Sequence, residues 1–384
     1  MKLFRFAFVT VSSLTLLTGC WDRTEINDLA FVNATGVDRQ EENRFRVSIQ
    51  TPLPGAMGGP GGGGGGTSGN KPYYVDSGIG RNVREANDDL QQRMSRELYF
   101  AHRRILVIGE DLAKAGFKRT LDVILEHPES RLSTFVLISK GDALDILTSS
   151  PHFEQLPGEA LRELTKTGLN INTRDVLNNI ARPGKDPVVP LVKTVTTKNE
   201  GDDEKKELQI DGAAIFKEDI LQFMTNKEES LGLSWLLKEM QDKSINVPIK
   251  EDSELNLNIQ KYNIKTSYKV KNNLPEFTIK FKVNTVLLQN EPDIHLEDPN
   301  VYQMATKKME QEIKKQVNAL INHAKSEGVD PYGLGWHIYR YENMLWEKEL
   351  SDKWRELLPD IKVNIIVSAD IDRVNNRGIK IREA

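Results

Sequence analysis

The sequence predicts a mixed α+β, multidomain chain: an N-terminal α/β domain followed by a C-terminal α+β domain. Three observations point there. Near-continuous apolar runs at 104–109 (RILVIG) and 134–139 (TFVLIS) alternate with helical patterns, as in a sheet with parallel strands covered on both faces. Three runs, 255–259, 264–270 and 277–283, each alternate mostly apolar with polar residues, the mark of an antiparallel meander with one buried face. A long helix over 301–325 follows, with Tyr302, Met309, Ile313, Val317, Leu320, Ile321 and Ala324 on one stripe.

The N-terminal elements follow in order. Residues 29–37 read as a strand, and Phe45, Val47 and Ile49 alternate with polar neighbours on the next. GAMGGPGGGGGGTSG at 55–69 has no side chains to bury and reads as a flexible loop; no Gly-Lys-Ser/Thr ending makes it a phosphate loop. Gly78-x-Gly80 leads into a helix over 82–98 with no clear strand before it, and Val83 stands where a dinucleotide fingerprint needs its third glycine. Helices are predicted at 111–126, 142–147, 157–166 and 173–181, the last with Thr173 as N-cap. Asp186-Pro187-Val188-Val189-Pro190 returns the chain to extended form.

The charged run 198–206 (KNEGDDEKK) suits a hairpin tip or a linker, and a domain boundary is placed near it. Paired strands at 208–216 and 220–224 and a helix at 231–240 precede the meander, with Asn272-Asn273 as one of its turns. Gly328 and Pro331 stop the long helix. The tail carries DPYGLGW at 330–336, a helical stretch to 357 and a strand in which Ile361, Val363, Ile365, Val367, Ala369 and Ile371 alternate with mostly polar residues. Helices on one face of an antiparallel sheet are expected.

The first residues differ from the rest. Lys2 and Arg5 precede an apolar run, 6–17, too short to span a bilayer, which fits a signal peptide rather than an anchor helix. Leu17-Thr18-Gly19-Cys20 matches a bacterial lipobox, and Cys20 is the chain's one cysteine. Cleavage before Cys20 and a thioether-linked diacylglycerol on its sulfur would hold the mature chain stably on a membrane, since each buried methylene contributes about 0.8 kcal/mol. The mature chain would be two charges more acidic than the net −4 of the whole, so its body would stand off an anionic surface.

Composition and motifs narrow the chemistry. The acidic balance argues against nucleic acid as a partner. One cysteine excludes an internal disulfide and a zinc site built on several thiolates. The six histidines, His102, His127, His152, His295, His323 and His337, form no HxH or HExxH pattern, so no metal or cofactor site is assigned. There is no G-x-S-x-G elbow, and Cys20 is committed to lipid. Asp370 and Asp372 share the polar face of the last strand, and Lys307, Lys308, Lys314 and Lys315 are interrupted by Glu310 and Glu312; both patterns read as solvated faces. Trp235, Trp336, Trp346 and Trp354 read as core or interface anchors. With no catalytic constellation, the body is expected to work by binding, not as an enzyme.

A family resemblance adds to this. CWDRTEINDLAFVNATGVDR at 20–39 resembles the opening of the Ger(x)C spore germination lipoproteins, the C subunits of GerA-type nutrient germinant receptors. The resemblance continues in order through the Gly-rich insertion, SRELYFAHRRILVIGEDLAKAG at 95–116, LPGE at 156–159, DPVVPLV at 186–192, DGAAIFKED at 211–219, DPYGLGW, and DIKVNIIVSADIDRVNNRGI at 360–379. It implies a non-catalytic, lipid-anchored protein on the outer face of the spore inner membrane. Its implied partners are two membrane subunits, A and B, the latter similar to amino-acid transporters, and together they would sense nutrients and start germination. Cys20 would then be the lipidated residue and Trp21, Asp22 and Arg23 part of a membrane-proximal neck, where Trp suits the interfacial zone. The expected division is signal peptide 1–19, neck 20–24, N-terminal domain 25–197 and C-terminal domain 206–384, with a further split near 250 left open. The alternative is a solute-binding lipoprotein that delivers a small nutrient to a transporter, although the two halves differ where such proteins pair like lobes.

Overall fold

The computed structural model describes residues 25–53, 72–197, 205–250, 253–271, 274–290, 296 and 298–372. The lipobox, the neck residues Cys20 to Arg23 and the Gly-rich 55–69 lie outside them, as do Asn272-Asn273, His295 and most of 198–206.

The first body is a three-layer α/β/α unit. Its strands are β1 (Leu29–Phe31), β2 (Ala34–Arg39), β3 (Phe45–Pro52), β4 (Tyr73–Gly80), β5 (Glu97–Tyr99), β6 (Ile105–Ile108), β7 (Phe135–Ser139), β8 (Val188–Thr197), β9 (Lys205–Lys217) and β10 (Ile220–Met224). Its helices are α1 (Val83–Gln91), α2 (Glu110–Ala115), α3 (Lys118–Leu125), α4 (Ala143–Leu147), α5 (Pro157–Thr167) and α6 (Thr173–Ala181). Eight strands form one sheet in the order β10-β9-β8-β7-β6-β2-β3-β4, parallel from β8 to β2 and antiparallel at both margins. The apolar runs of β6 and β7 are buried on both faces, as their lack of alternation predicts. Leu106, Ile108, Val136 and Ile138 meet Leu90, Leu112 and Leu121 from α1 to α3. Ile105, Val107 and Leu137 meet Ile146 and Leu161 from α4 and α5. Strands β1 and β5 form a separate parallel pair.

Several elements differ from expectation. A strand, β4, does precede Gly80. Its glycines weaken the strand signal, yet they are there for packing: a Cβ on Gly78 would lie 2.0 Å from the Ala86 carbonyl oxygen, and one on Gly80 2.4 Å from the Ala86 nitrogen. The helix expected over 111–126 is two, broken at Gly116, whose φ of +100° suits glycine. The cap of α6 is Asn172, which forms a capping box with Asp175, rather than Thr173. Strands β8 and β9, on either side of the charged run at 198–206, are antiparallel partners, and the sheet of the first body includes β10 as far as Met224.

The second body opens with α7 (Lys227–Leu236), four residues earlier than periodicity predicts because Asn226 and Glu229 make a capping box. Strands β11 (Ser244–Lys250), β12 (Ser253–Lys271), β13 (Leu274–Asn290) and β14 (Lys362–Asp372) form a sheet in chain order. Residue 250 lies at the end of β11, which pairs with β12, so the sheet continues across it. The meander β11-β12-β13 is antiparallel, but β14 runs parallel to β13, making the sheet mixed. The intervening crossover contains α8 (Pro299–Ser326), which returns the chain to the end from which β13 started. Met309, Ile313, Val317 and Ile321 of α8 share one core with Leu257, Ile259, Phe277 and Phe281. The helical stretch before β14 is broken into α9 (Leu334–Tyr341) and short turns, including five π-helical residues, Trp346–Leu350.

Helix α7 ties into this core. Trp235 is fully buried and donates its indole N–H to Gln316 Oε1 of α8 at 2.9 Å. A Cβ on Gly232 would lie 2.1 Å from the Gln316 carbonyl oxygen, so the two helices touch backbone to backbone there. Helix propensity alone makes Gly232→Ala stabilising by about 0.5–1 kcal/mol. Overpacking costs about 1–3 kcal/mol and should win, so urea unfolding of Gly232→Ala should give a lower midpoint than the parent.

Candidate functional site at the joint of the two bodies

Most of the residues nominated from sequence do not converge; only Trp336, Trp346 and His323 reach the joint of the two bodies. Among the histidines, His102 lies edge-on to Phe31 at 5.1 Å and His127 sits 5.6 Å from the Phe100 ring. His152 is 2.7 Å from Glu207, and His337 packs near Tyr268 and Tyr341, where burial lowers its pKa. Asp370 and Asp372 are exposed on β14, and Asp370 accepts a hydrogen bond from the Tyr302 hydroxyl. Lys315 pairs with Glu228 of α7 at 2.7 Å. Trp346 and Trp354 are buried with their ring centroids 5.2 Å apart. Among the described residues no three His, Cys, Asp or Glu side chains are grouped to hold a metal ion, and no helix is long and apolar enough to cross a membrane.

What does converge is a pair of motifs far apart in sequence. Asp186-Pro187, entering β8, and Asp330-Pro331, following α8, dock on each other. The Asp186 backbone N–H donates to the Asp330 carbonyl at 2.9 Å, and the Asp330 N–H donates back to Asp186 Oδ2 at 2.7 Å. Arg355 closes the site with a two-pronged grip: Nη2 donates to Asp186 Oδ1 at 2.9 Å and Nη1 to Oδ2 at 3.1 Å. The Asp186 side chain is 4% exposed and that of Arg355 36%, so one charge is buried and its partner keeps contact with water. The Asp330 carboxylate, fully buried, accepts the N–H groups of Gly333 and Gly335, each at 2.8 Å, and so shapes the turn that starts α9. Burial pushes the Asp330 carboxyl up to about 7, against the pull of those backbone donors.

Glycine makes the close approach possible. Gly184 has φ +64°, and a Cβ there would lie 2.4 Å from the Trp346 ring and 2.7 Å from Gly335 Cα. The Trp336 N–H donates to the Gly184 carbonyl at 3.0 Å, and Arg182 lies over the Trp336 ring at 5.3 Å. Lys185 is packed beside Gly333, and burial, with Arg182 nearby, pulls its pKa down. A second contact lies alongside: Phe223 of β10 stacks on His323 of α8 at 3.9 Å, and His323 Nδ1 is 2.8 Å from Glu229 Oε1. Leu169, Val188, Ala213, Ile215, Leu233 and Leu320 form the apolar cluster beneath, drawn from both bodies. Arg355, Gly184, Gly335 and Glu229 carry this joint and were not singled out from sequence; the one local signal was the Asp-Pro dipeptide at 186 and 330, which also stands at 298, where it starts α8.

Two outcomes test the joint. Arg355→Met leaves the Asp186 carboxylate buried without its counter-charge. Breaking a buried pair this way costs about 3–5 kcal/mol, and the partly wet Arg355 places the loss at the lower end. Urea unfolding should read it, and adding Asp186→Ala should recover part of it. The second is a pH dependence. The unfolded Asp330 ionises near 3.8 and the folded one at about 7. Its contribution to stability is therefore complete below 3.8 and is lost as pH rises through about 7. The thermal midpoint of the wild type minus that of Asp330→Asn should fall across this window and stay level above it.

Comparison with known proteins places this geometry. The family model described as spore germination protein N-terminal domain matches residues 22–194, and that described as spore germination B3/GerAC like, C-terminal, matches 211–375. Spore germination protein YfkR of Bacillus subtilis (strain 168) is 33% identical, covering 93% of each chain. Spore germination protein KC of the same organism is 30% identical over 98% of this chain and 97% of its own. The crystal structure of the GerBC protein superposes with a TM-score of 0.57, covering 91% of this chain and 99% of that one; at 17% identity it speaks for the fold, a mixed α+β multidomain build. Two domain families matched in order, and relatives aligned along nearly their whole length, make this chain a member of the Ger(x)C family of spore germination proteins.

Proposed function

We propose that this chain is the lipid-anchored C subunit of a nutrient germinant receptor, acting without catalysis beside membrane subunits A and B to trigger germination. The observation that carries the reading is the family match along nearly the whole chain, together with an N-terminal apolar run that leads into Leu17-Thr18-Gly19-Cys20. The diacylglycerol on Cys20 would hold the body on the outer face of the spore inner membrane, with Trp21, Asp22 and Arg23 as its neck. The described body supports a role in assembly: its two halves are joined by a buried polar lock and an apolar cluster. Its unlike halves, a three-layer α/β/α unit and a mixed sheet with α8, weigh against the solute-binding alternative.

Membrane fractionation of Cys20→Ala spores tests the anchor. The variant should leave the inner-membrane fraction, and the germination response to nutrients should fall with it. A variant that stays membrane-bound at wild-type level, with an unchanged response, would refute the anchoring role.

A further inference from the structure

A cavity of about 190 Å³ lies in the first body, against the face of the sheet covered by α1 and α3. Three of its lining residues carry buried polar atoms without a hydrogen-bond partner: Thr35 Oγ1 on β2, Asn87 Oδ1 on α1, and Arg103 Nε just before β6. Apolar walls come from Val47, Val83 and Phe100, while Arg84, Asp88 and His127 are its exposed lining residues.

Arg103 is the unusual member. It is 6% exposed, and among the described residues it makes no ion pair. Its guanidinium donates from Nη2 to Ser130 Oγ at 3.0 Å and sits over the Phe100 ring at 5.6 Å. Burial alone lowers its pKa to about 10, so it remains a cation. A buried guanidinium without a counter-charge is costly, and native proteins pair such charges. Ordered water could meet a hydroxyl or an amide; it does not supply negative charge. The donors of Arg103 match a carboxylate in a planar fork. Asn87 Oδ1 calls for a donor and Thr35 can give or accept. The size of the cavity and its apolar walls favour a small organic ion over a bulky one.

We infer that this cavity is a binding site for a small monocarboxylate with a short apolar part and one further hydrogen-bond donor, its carboxylate paired with Arg103. The inference rests on the cavity and does not depend on the receptor reading.

The test is calorimetric titration of the full chain, purified in detergent, with propionate, L-lactate, propionamide and inorganic phosphate. Propionate and L-lactate should bind saturably, L-lactate more tightly because its hydroxyl reaches an unpartnered acceptor, and propionamide should not bind. Arg103→Met, which keeps the apolar stem, should lose roughly tenfold or more in affinity. Thr35→Val removes only an unpartnered hydroxyl, so it should fold as the parent does and still weaken L-lactate severalfold. Absence of saturable carboxylate binding in the parent means the cavity holds water only and overturns the inference. So does equal binding of propionamide, or affinity unchanged in Arg103→Met; should that chain not fold, unchanged L-lactate affinity in Thr35→Val decides the same point.

Discussion

The arrangement of the two bodies depends on one exchange between Asp186 and Asp330. Each aspartate donates its backbone N–H to the other residue, one to a carbonyl and one to a carboxylate. Two buried carboxylates side by side would repel. The repulsion is managed by unequal means: Arg355 neutralises Asp186 from the solvent side, while Asp330 is held by backbone N–H groups in the interior, where protonation is accessible near neutral pH. Removing one partner would leave polar groups stranded, which makes the contact far stiffer than a surface ion pair.

The remaining contacts at the joint lie close beside this exchange. Gly184 and Gly335 meet under Trp346 with no room for a side chain, and the Trp336 N–H then reaches the Gly184 carbonyl. On the other side Gly232 lets α7 lie directly on α8, bringing Leu233 into the shared apolar cluster and Trp235 into the second core. Interfaces between domains are by default polar and mobile. Here an apolar cluster, a glycine-lined crossing and a buried polar exchange coincide, so the joint has the character of a core.

Much of the fold was legible because it rests on local period. The apolar β6 and β7, the alternation of β12 and β13 and the stripe of α8 each reflect burial by neighbours of the same element. What was hidden depends on distant partners. β4 reads as a turn until Ala86 is seen to need the space at Gly78 and Gly80. β14 lies parallel because of where a crossover ends, which no window of sequence contains. The joint pairs Asp186 with Arg355, 169 residues on, and Arg103 looks like one of three ordinary basic residues in HRR until its burial is known. The repeated Asp-Pro was visible, but an Asp-Pro dipeptide is also a plain turn signal.

A stiff joint constrains how such a body can act. Domain closure needs a hinge, a few residues free to change φ and ψ. The two connections nearest the joint lack that freedom. Residues 184–187 are held by Trp336, Asp330 and Arg355, and the passage from β10 into α7 is pinned by Thr225, which bonds Ala213, and by the Asn226–Glu229 capping box. A displacement imposed on the first body is therefore carried to the second as a rigid movement. On this architecture the orientation of the β11–β14 sheet follows that of the first body. The first body is also the one that follows Cys20 in sequence, so on the proposed anchoring its placement would set what the second presents.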